Sequence, residues 1–190
     1  MKIRLQDLVD MHKPLVHGLV IDIGGYKGEY TERVSKRFDC KVIIFEPDPE
    51  LFSFLLNKFQ VFPKMEIHGI AVGKPEGWRD LYLSWGRLGN SFYKEWAKSD
   101  KSVKVPVVSL VNFMRDNKIK KADILKVNCE GAEYEIMDDL IENNMLDCFN
   151  EILIQFHKTE HKSKRKALEA KLAEKFIKVH NYKIDLWQKK

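Results

Sequence analysis

The sequence predicts an α/β domain with a mostly parallel sheet covered by helices on both faces. Three observations predict it. Short apolar runs alternate with helix-periodic segments almost end to end, no repeat or low-complexity tract breaks the alternation, and the stretch VIDIGGYKGEYTERV (20–34) passes from strand to helix through a glycine turn. At 190 residues the chain has room for one domain with a substantial core. Its 44% apolar content, with charges spread along the whole length, argues against disorder.

A lead-in over residues 1–18 precedes the first strand, expected at Leu19–Ile23. Tyr30, Val34 and Phe38, four apart, give the following helix its buried face. KVIIFE reads as a second buried strand, and Asp48-Pro49 as a helix start, with aspartate able to cap and proline suited to the first turn. Leu51, Phe52, Leu55 and Phe59 line that helix, and a third strand is expected over 65–70. Residues 73–104 lose periodicity and read as an irregular insert, able to act as a substrate lid. Ser109 caps a short helix, ADILKVN and EILIQFH are further strands, and Leu168 and Leu172 mark the inner face of a basic helix. FIKVHNYKIDLWQK closes the domain as an antiparallel hairpin.

Several classes are disfavoured at once. MKIRLQDLVDMHKPL holds no apolar stretch long enough for a signal peptide, and no segment approaches the roughly 18 apolar residues of a membrane span, so a cytoplasmic location is expected. Cys40, Cys129 and Cys148 form no C-x-x-C pair and are expected to be reduced. HKTEH (157–161) would set His157 and His161 on one helical face near Glu160, but it is not H-E-x-x-H, and no metal is expected.

The glycine turn sits where open α/β sheets bind ligands. It lacks the Gly-Lys-Ser/Thr ending of a phosphate-binding loop, and Tyr26 and Glu29 stand where a dinucleotide fingerprint wants glycine. Asp22 and Glu29 would also repel a pyrophosphate. S-adenosyl-L-methionine carries no phosphate and has a sulfonium and an ammonium, which acids favour, while backbone amides and Lys27 serve its carboxylate. Glu46, ending the second strand, is placed to accept hydrogen bonds from both ribose hydroxyls.

IDIGGYKGEYT, FEPDPELFSFL and LKVNCEGAEYEIM, in this order, resemble the FkbM family of S-adenosylmethionine-dependent methyltransferases over roughly residues 19–157. The resemblance implies a Rossmann-like class I methyltransferase fold and methyl transfer to oxygen, commonly a hydroxyl of a sugar, glycolipid or polyketide. Asp22, Gly24 and Gly28 match its first motif, with Gly25, Lys27 and Thr31 beside them. Glu46, followed by Pro47, matches the ribose carboxylate, and Ala71 and Val72 fall where a strand end lines the adenine. Lys126, Glu130, Gly131 and Glu133 match the third block, whereas Asn128 stands where the family usually has aspartate. An amide is a poor partner for a hard cation and no base near neutral pH.

Methyl transfer to a hydroxyl needs a proton acceptor near the methyl group. Lys126, Asn128 and Glu130 share one face if that segment stays extended, and His157 ends the next strand, so Glu130 or His157 is the expected base. Each also has an ordinary structural role available, Glu130 as a helix cap and His157 as a strand-end histidine.

The acceptor is less determined. Trp78, Tyr82, Trp85, Phe92, Tyr93 and Trp96 concentrate six aromatics within 19 residues, which suits sugar stacking, and at least as well the core of an inserted hairpin or a cover over the adenine. A small-molecule or glycan hydroxyl is the expected acceptor. A nucleic-acid methyltransferase is disfavoured: the net charge is only +5, the basic 158–178 stretch has the spacing of a sheet-covering helix, and N-C-E-G replaces the Asn/Asp-Pro-Pro-aromatic motif of base-modifying enzymes. Cys129 lacks the preceding proline of a cytosine C5 nucleophile. A module that holds the donor without turnover is the third reading, kept open by Asn128.

Overall fold

The computed structural model describes residues 5–157, 162–181 and 184–190. In chain order these form α1 (Leu5–Asp10), β1 (Val16–Ile23), α2 (Glu29–Arg37), β2 (Asp39–Phe45), α3 (Pro49–Phe59), β3 (Met65–His68) and β4 (Ala71–Val72). They continue with β5 (Gly77–Tyr82), α4 (Lys94–Ala97), β6 (Ser102–Val108), α5 (Leu110–Asp116), β7 (Ala122–Val127), α6 (Glu133–Glu142), β8 (Phe149–Ile154), α7 (Lys162–Lys175), β9 (Phe176–Asn181) and β10 (Asp185–Lys189).

Seven strands make the main sheet in the order β3-β2-β1-β7-β8-β10-β9. β3 through β8 are parallel, and β10 pairs antiparallel with both β8 and β9. The expected closing hairpin is therefore present. The order reverses between β1 and β7, which opens a crevice beyond their carboxyl ends.

Both sheet faces are covered because successive strand residues point to opposite sides. Val20, Val42 and Ile44 pack with Val34 of α2 and Leu55 and Phe59 of α3. Ile21, Ile43 and Leu125 face the other way, toward Met114 of α5, Met137 and Leu140 of α6 and Leu168 and Leu172 of α7. Truncating a fully buried leucine such as Leu172 to alanine would cost about 2–5 kcal/mol. The basic segment is thus an ordinary covering helix.

Two expectations change. The first strand begins at Val16 rather than Leu19, and the lead-in carries α1, whose Leu8 and Val9 are buried. The insert is not irregular throughout. β5 pairs antiparallel with β6, which pairs parallel with β4, giving a second three-stranded sheet with its own small core of Ala71, Leu81, Val105 and Val107. Charged and aromatic residues on its exposed positions hide the strand period, since β5 buries only Leu81.

Candidate active site

The β1 tip is organised by Asp22, which is completely buried. Thr31 Oγ1 of α2 donates to Asp22 Oδ2 (2.7 Å), and Lys126 Nζ of β7 lies 2.7 Å from Oδ1 as an ion pair. Lys126 also donates to the Gly24 carbonyl at 2.6 Å. Asp22 and Thr31 therefore fix the turn from beneath, and neither belongs to the wall of the cleft.

The glycines answer to neighbouring protein atoms. Gly24 has φ 81°, and a Cβ there would fall 1.9 Å from the Asn128 carbonyl oxygen, so only glycine lets β1 and β7 end side by side. Gly28, at φ 71°, would drive a Cβ to 2.6 Å from Phe59, so it seats α2 on α3. Lys27 is exposed and points its amine over the Tyr26 ring, outside the cleft wall.

Beyond the strand tips lies a cavity of about 640 Å³ whose wall includes Gly24, Gly25, Glu46, Pro47, Ala71, Val72, Lys126, Asn128 and Glu130. This is within the range of small-molecule sites. Glu46 accepts from the Tyr26 amide (2.7 Å) and the Asp48 amide (3.0 Å), which fixes its carboxylate at the β2 tip. Burial raises its pKa to about 7, against the opposing pull of those two amides.

At the other end of the cavity the third block turns instead of staying extended. β7 stops at Val127, and Glu130 and Gly131 have φ of 51° and 113°. Lys126, still within β7 and in register with Asp22 on β1, stays paired with it, while Glu130 lines the cavity. Glu130 does not cap α6, whose N-cap residue is Ala132 with no side-chain cap bond. Asn128 lines the cavity with Oδ1 buried and without a hydrogen-bond partner in the protein. His157 sits behind Glu130, outside the wall, with Nε2 3.0 Å from Glu130 Oε1 and Nδ1 3.1 Å from Glu133 Oε1. Burial alone would lower the imidazole pKa, but hydrogen bonds to the two carboxylates outweigh it and raise it to about 9.

The insert closes one side. Ser84, Gly89 and Asn90 knit a compact turn through Ser84 N–H to Asn90 Oδ1 and Gly89 N–H to Ser84 Oγ, both 2.9 Å. Arg87 Nη1 (2.5 Å) and Asn90 Nδ2 (2.6 Å) donate to Asp48 Oδ2, fastening the turn to the start of α3 beside Glu46. Of the six clustered aromatics only Phe92 reaches the cavity wall; Trp78 and Trp85 point to solvent, and Tyr93 stacks with Trp96, which covers Gly131.

A family model described as the methyltransferase FkbM domain matches residues 22–184. The chain belongs to the FkbM methyltransferase family. Its cofactor is S-adenosylmethionine. No curated protein matches it in sequence. Among solved structures, a precorrin-6Y C5,15-methyltransferase from Geobacter metallireducens is similar with TM-score 0.53 and 11% identity, over 96% of this chain and 84% of that one. TrmK from M. capricolum, solved with S-adenosyl-homocysteine, gives TM-score 0.55 and 9% identity over 100% and 69%. A dimethyladenosine transferase from Plasmodium falciparum gives 0.57 and 14% over 96% and 58%. At such identities these likenesses concern the fold, a class I Rossmann-like methyltransferase.

The cleft of this FkbM domain fits the donor. Glu46 offers a fixed carboxylate for a diol, Ala71 and Val72 give an apolar wall for a base, and the unpartnered Asn128 oxygen can accept from a ligand donor. Sequence reasoning missed Arg87 and marked Gly89, Asn90 and Ser91 only as a mobile turn able to form part of a lid; their bonds to Asp48 and to the Glu130 carbonyl (Ser91 hydroxyl donating, 2.7 Å) span some forty residues and leave no local pattern. Glu133 was visible as a motif position but not as the acid that holds His157. Among the described residues no group of His, Cys, Asp and Glu could hold a metal, and His161 and Glu160 lie outside them. No helix of the described residues is long and apolar enough to cross a membrane.

Proposed function

We propose that this FkbM methyltransferase transfers the methyl group of S-adenosylmethionine to a hydroxyl oxygen of a sugar or glycan. The observation that carries this reading is that Glu46, suited to the donor ribose, and Glu130, an ionisable carboxylate at the tip of β7, line one cavity. A donor held at one end then presents its methyl toward a proton acceptor at the other, as an in-line displacement requires. The acceptor class follows the family, and the wall charges support it over nucleic acid. Among the described residues its two cations, Lys126 and Arg87, are already engaged by Asp22 and by Asp48 with Glu50, leaving none of them to meet a phosphate. Donor binding involves Gly24, Gly25, Glu46, Pro47, Ala71 and Val72 directly, with Asp22, Gly28 and Thr31 holding the turn.

Isothermal titration with S-adenosylhomocysteine, with NAD as control, tests the donor site: binding near −8 kcal/mol, a micromolar dissociation constant, is expected for the first alone. Labelled methyl transfer to a panel of sugars and oligonucleotides then tests the acceptor. Labelled oligonucleotide would overturn the sugar or glycan assignment, and tight donor binding with no product on any acceptor would favour a binding module.

A further inference from the structure

Three ionisable side chains meet where β7 and β8 end. Glu133, on the first turn of α6, is fully buried; its Oε2 accepts the Gly131 amide (2.7 Å) and its Oε1 the His157 amide (2.6 Å). The same Oε1 meets His157 Nδ1, and Glu130 Oε1 meets Nε2. We propose that His157 is a positioning residue and not the base: clamped between Glu133 and Glu130, it holds the Glu130 side chain facing the cavity, and Glu130 alone takes the acceptor's proton. This deepens the methyl-transfer reading and rests on it.

Geometry separates the two roles. Glu130 lines the cavity and His157 does not. A ring with a carboxylate at each nitrogen needs an N–H at both, which only imidazolium has; in the neutral ring a lone pair would face one of the carboxylates. Gln155 places its amide nitrogen 2.8 Å from Nε2. Rotating that amide by half a turn presents its oxygen to the imidazolium, an assignment equally open for a carboxamide. Among the described residues Glu130 and Glu133 are the charged groups in contact with the ring, and the Tyr134 hydroxyl donates to the His157 carbonyl at 3.1 Å. An imidazolium has no site for another proton. In the transfer the acceptor oxygen forms its bond to the methyl carbon as its proton passes to Glu130. The C–S bond breaks with its electron pair on sulfur, leaving a neutral thioether.

Imidazole NMR titration of the full chain tests the clamp in the wild type, Glu130→Gln and Glu133→Gln, each glutamine keeping one acceptor oxygen. His157 is expected to remain imidazolium at pH 7.5, titrate near 9 in the wild type, and shift down by about one unit or more in each variant. A wild-type ring neutral at pH 7.5, or one unmoved by Glu130→Gln, would overturn the proposal. With an acceptor from the screen, His157→Gln should lower kcat while leaving KM and donor affinity near their wild-type values, and an unchanged kcat counts against positioning. Binding of S-adenosylhomocysteine to the wild type separates the failures. Absent binding with His157 titrating near 9 refutes the methyl-transfer reading, and binding with a neutral His157 refutes the clamp.

Discussion

Asp22 has no exposure to solvent and is balanced by one cation, Lys126. Replacing that lysine with methionine would leave the carboxylate buried with only the Thr31 hydroxyl, a loss of about 3–5 kcal/mol. Urea denaturation measures it, and a cost under about 1 kcal/mol would show that the turn is held otherwise. Glu46 is the second decisive residue. Because burial raises its folded pKa to about 7 from an ordinary 4.5, the folded chain binds the proton more tightly than the unfolded chain, and this group lowers stability as pH rises from about 4.5 to 7. Ribose hydroxyls need the ionised form as acceptor, so binding runs the opposite way. Affinity for S-adenosylhomocysteine should fall as pH drops through about 7, by up to about tenfold per unit, and Glu46→Ala should weaken it by roughly 1–3 kcal/mol at pH 8. Titration at three pH values checks both, and a flat profile with unchanged affinity in the variant would remove Glu46 from the donor site.

At the scale of elements, α3 does two tasks through Asp48. One carboxylate oxygen caps the helix at the Glu50 and Leu51 amides (2.9 and 3.4 Å), and the other anchors Arg87 and Asn90 of the insert. Asp48→Ala should therefore cost about 1 kcal/mol from the lost cap and also release the turn over 84–91. Limited proteolysis reads the second effect: cleavage in 84–91 is expected to be faster in the variant than in the wild type. Equal rates would mean that the turn's own Ser84 and Asn90 bonds suffice to hold it. The exposed Leu88 of this turn is part of the cavity wall, so its release would alter what the acceptor meets.

The whole molecule bears a net charge of +5, yet four of the six cations of α7 have acidic partners close by. Lys164 pairs with Asp138, Arg165 with Glu169 and Asp185, Lys171 with Glu174 and Lys175 with Asp147. Such a surface should give little salt-dependent affinity for oligonucleotides. Fluorescence anisotropy at low ionic strength tests this, and a steep fall of affinity with salt would restore the nucleic-acid reading. At this scale the division between sequence and tertiary structure is plain. The parallel sheet, the glycine turn, the Asp48 cap and the Glu46 strand tip were legible in the sequence, because each is set by local periodicity or by residues within one turn of each other. The sequence also carried the family, through three motif blocks in order. What it could not determine is which acids meet ligand and which meet protein: Asp22 and Lys126 are 104 residues apart and neutralise each other, His157 stands behind Glu130, and Arg87 crosses to Asp48. Those pairings arise only when strand tips and the insert are brought together, since the energy of a charge depends on its burial and its nearest partner, neither of which is a property of sequence neighbours.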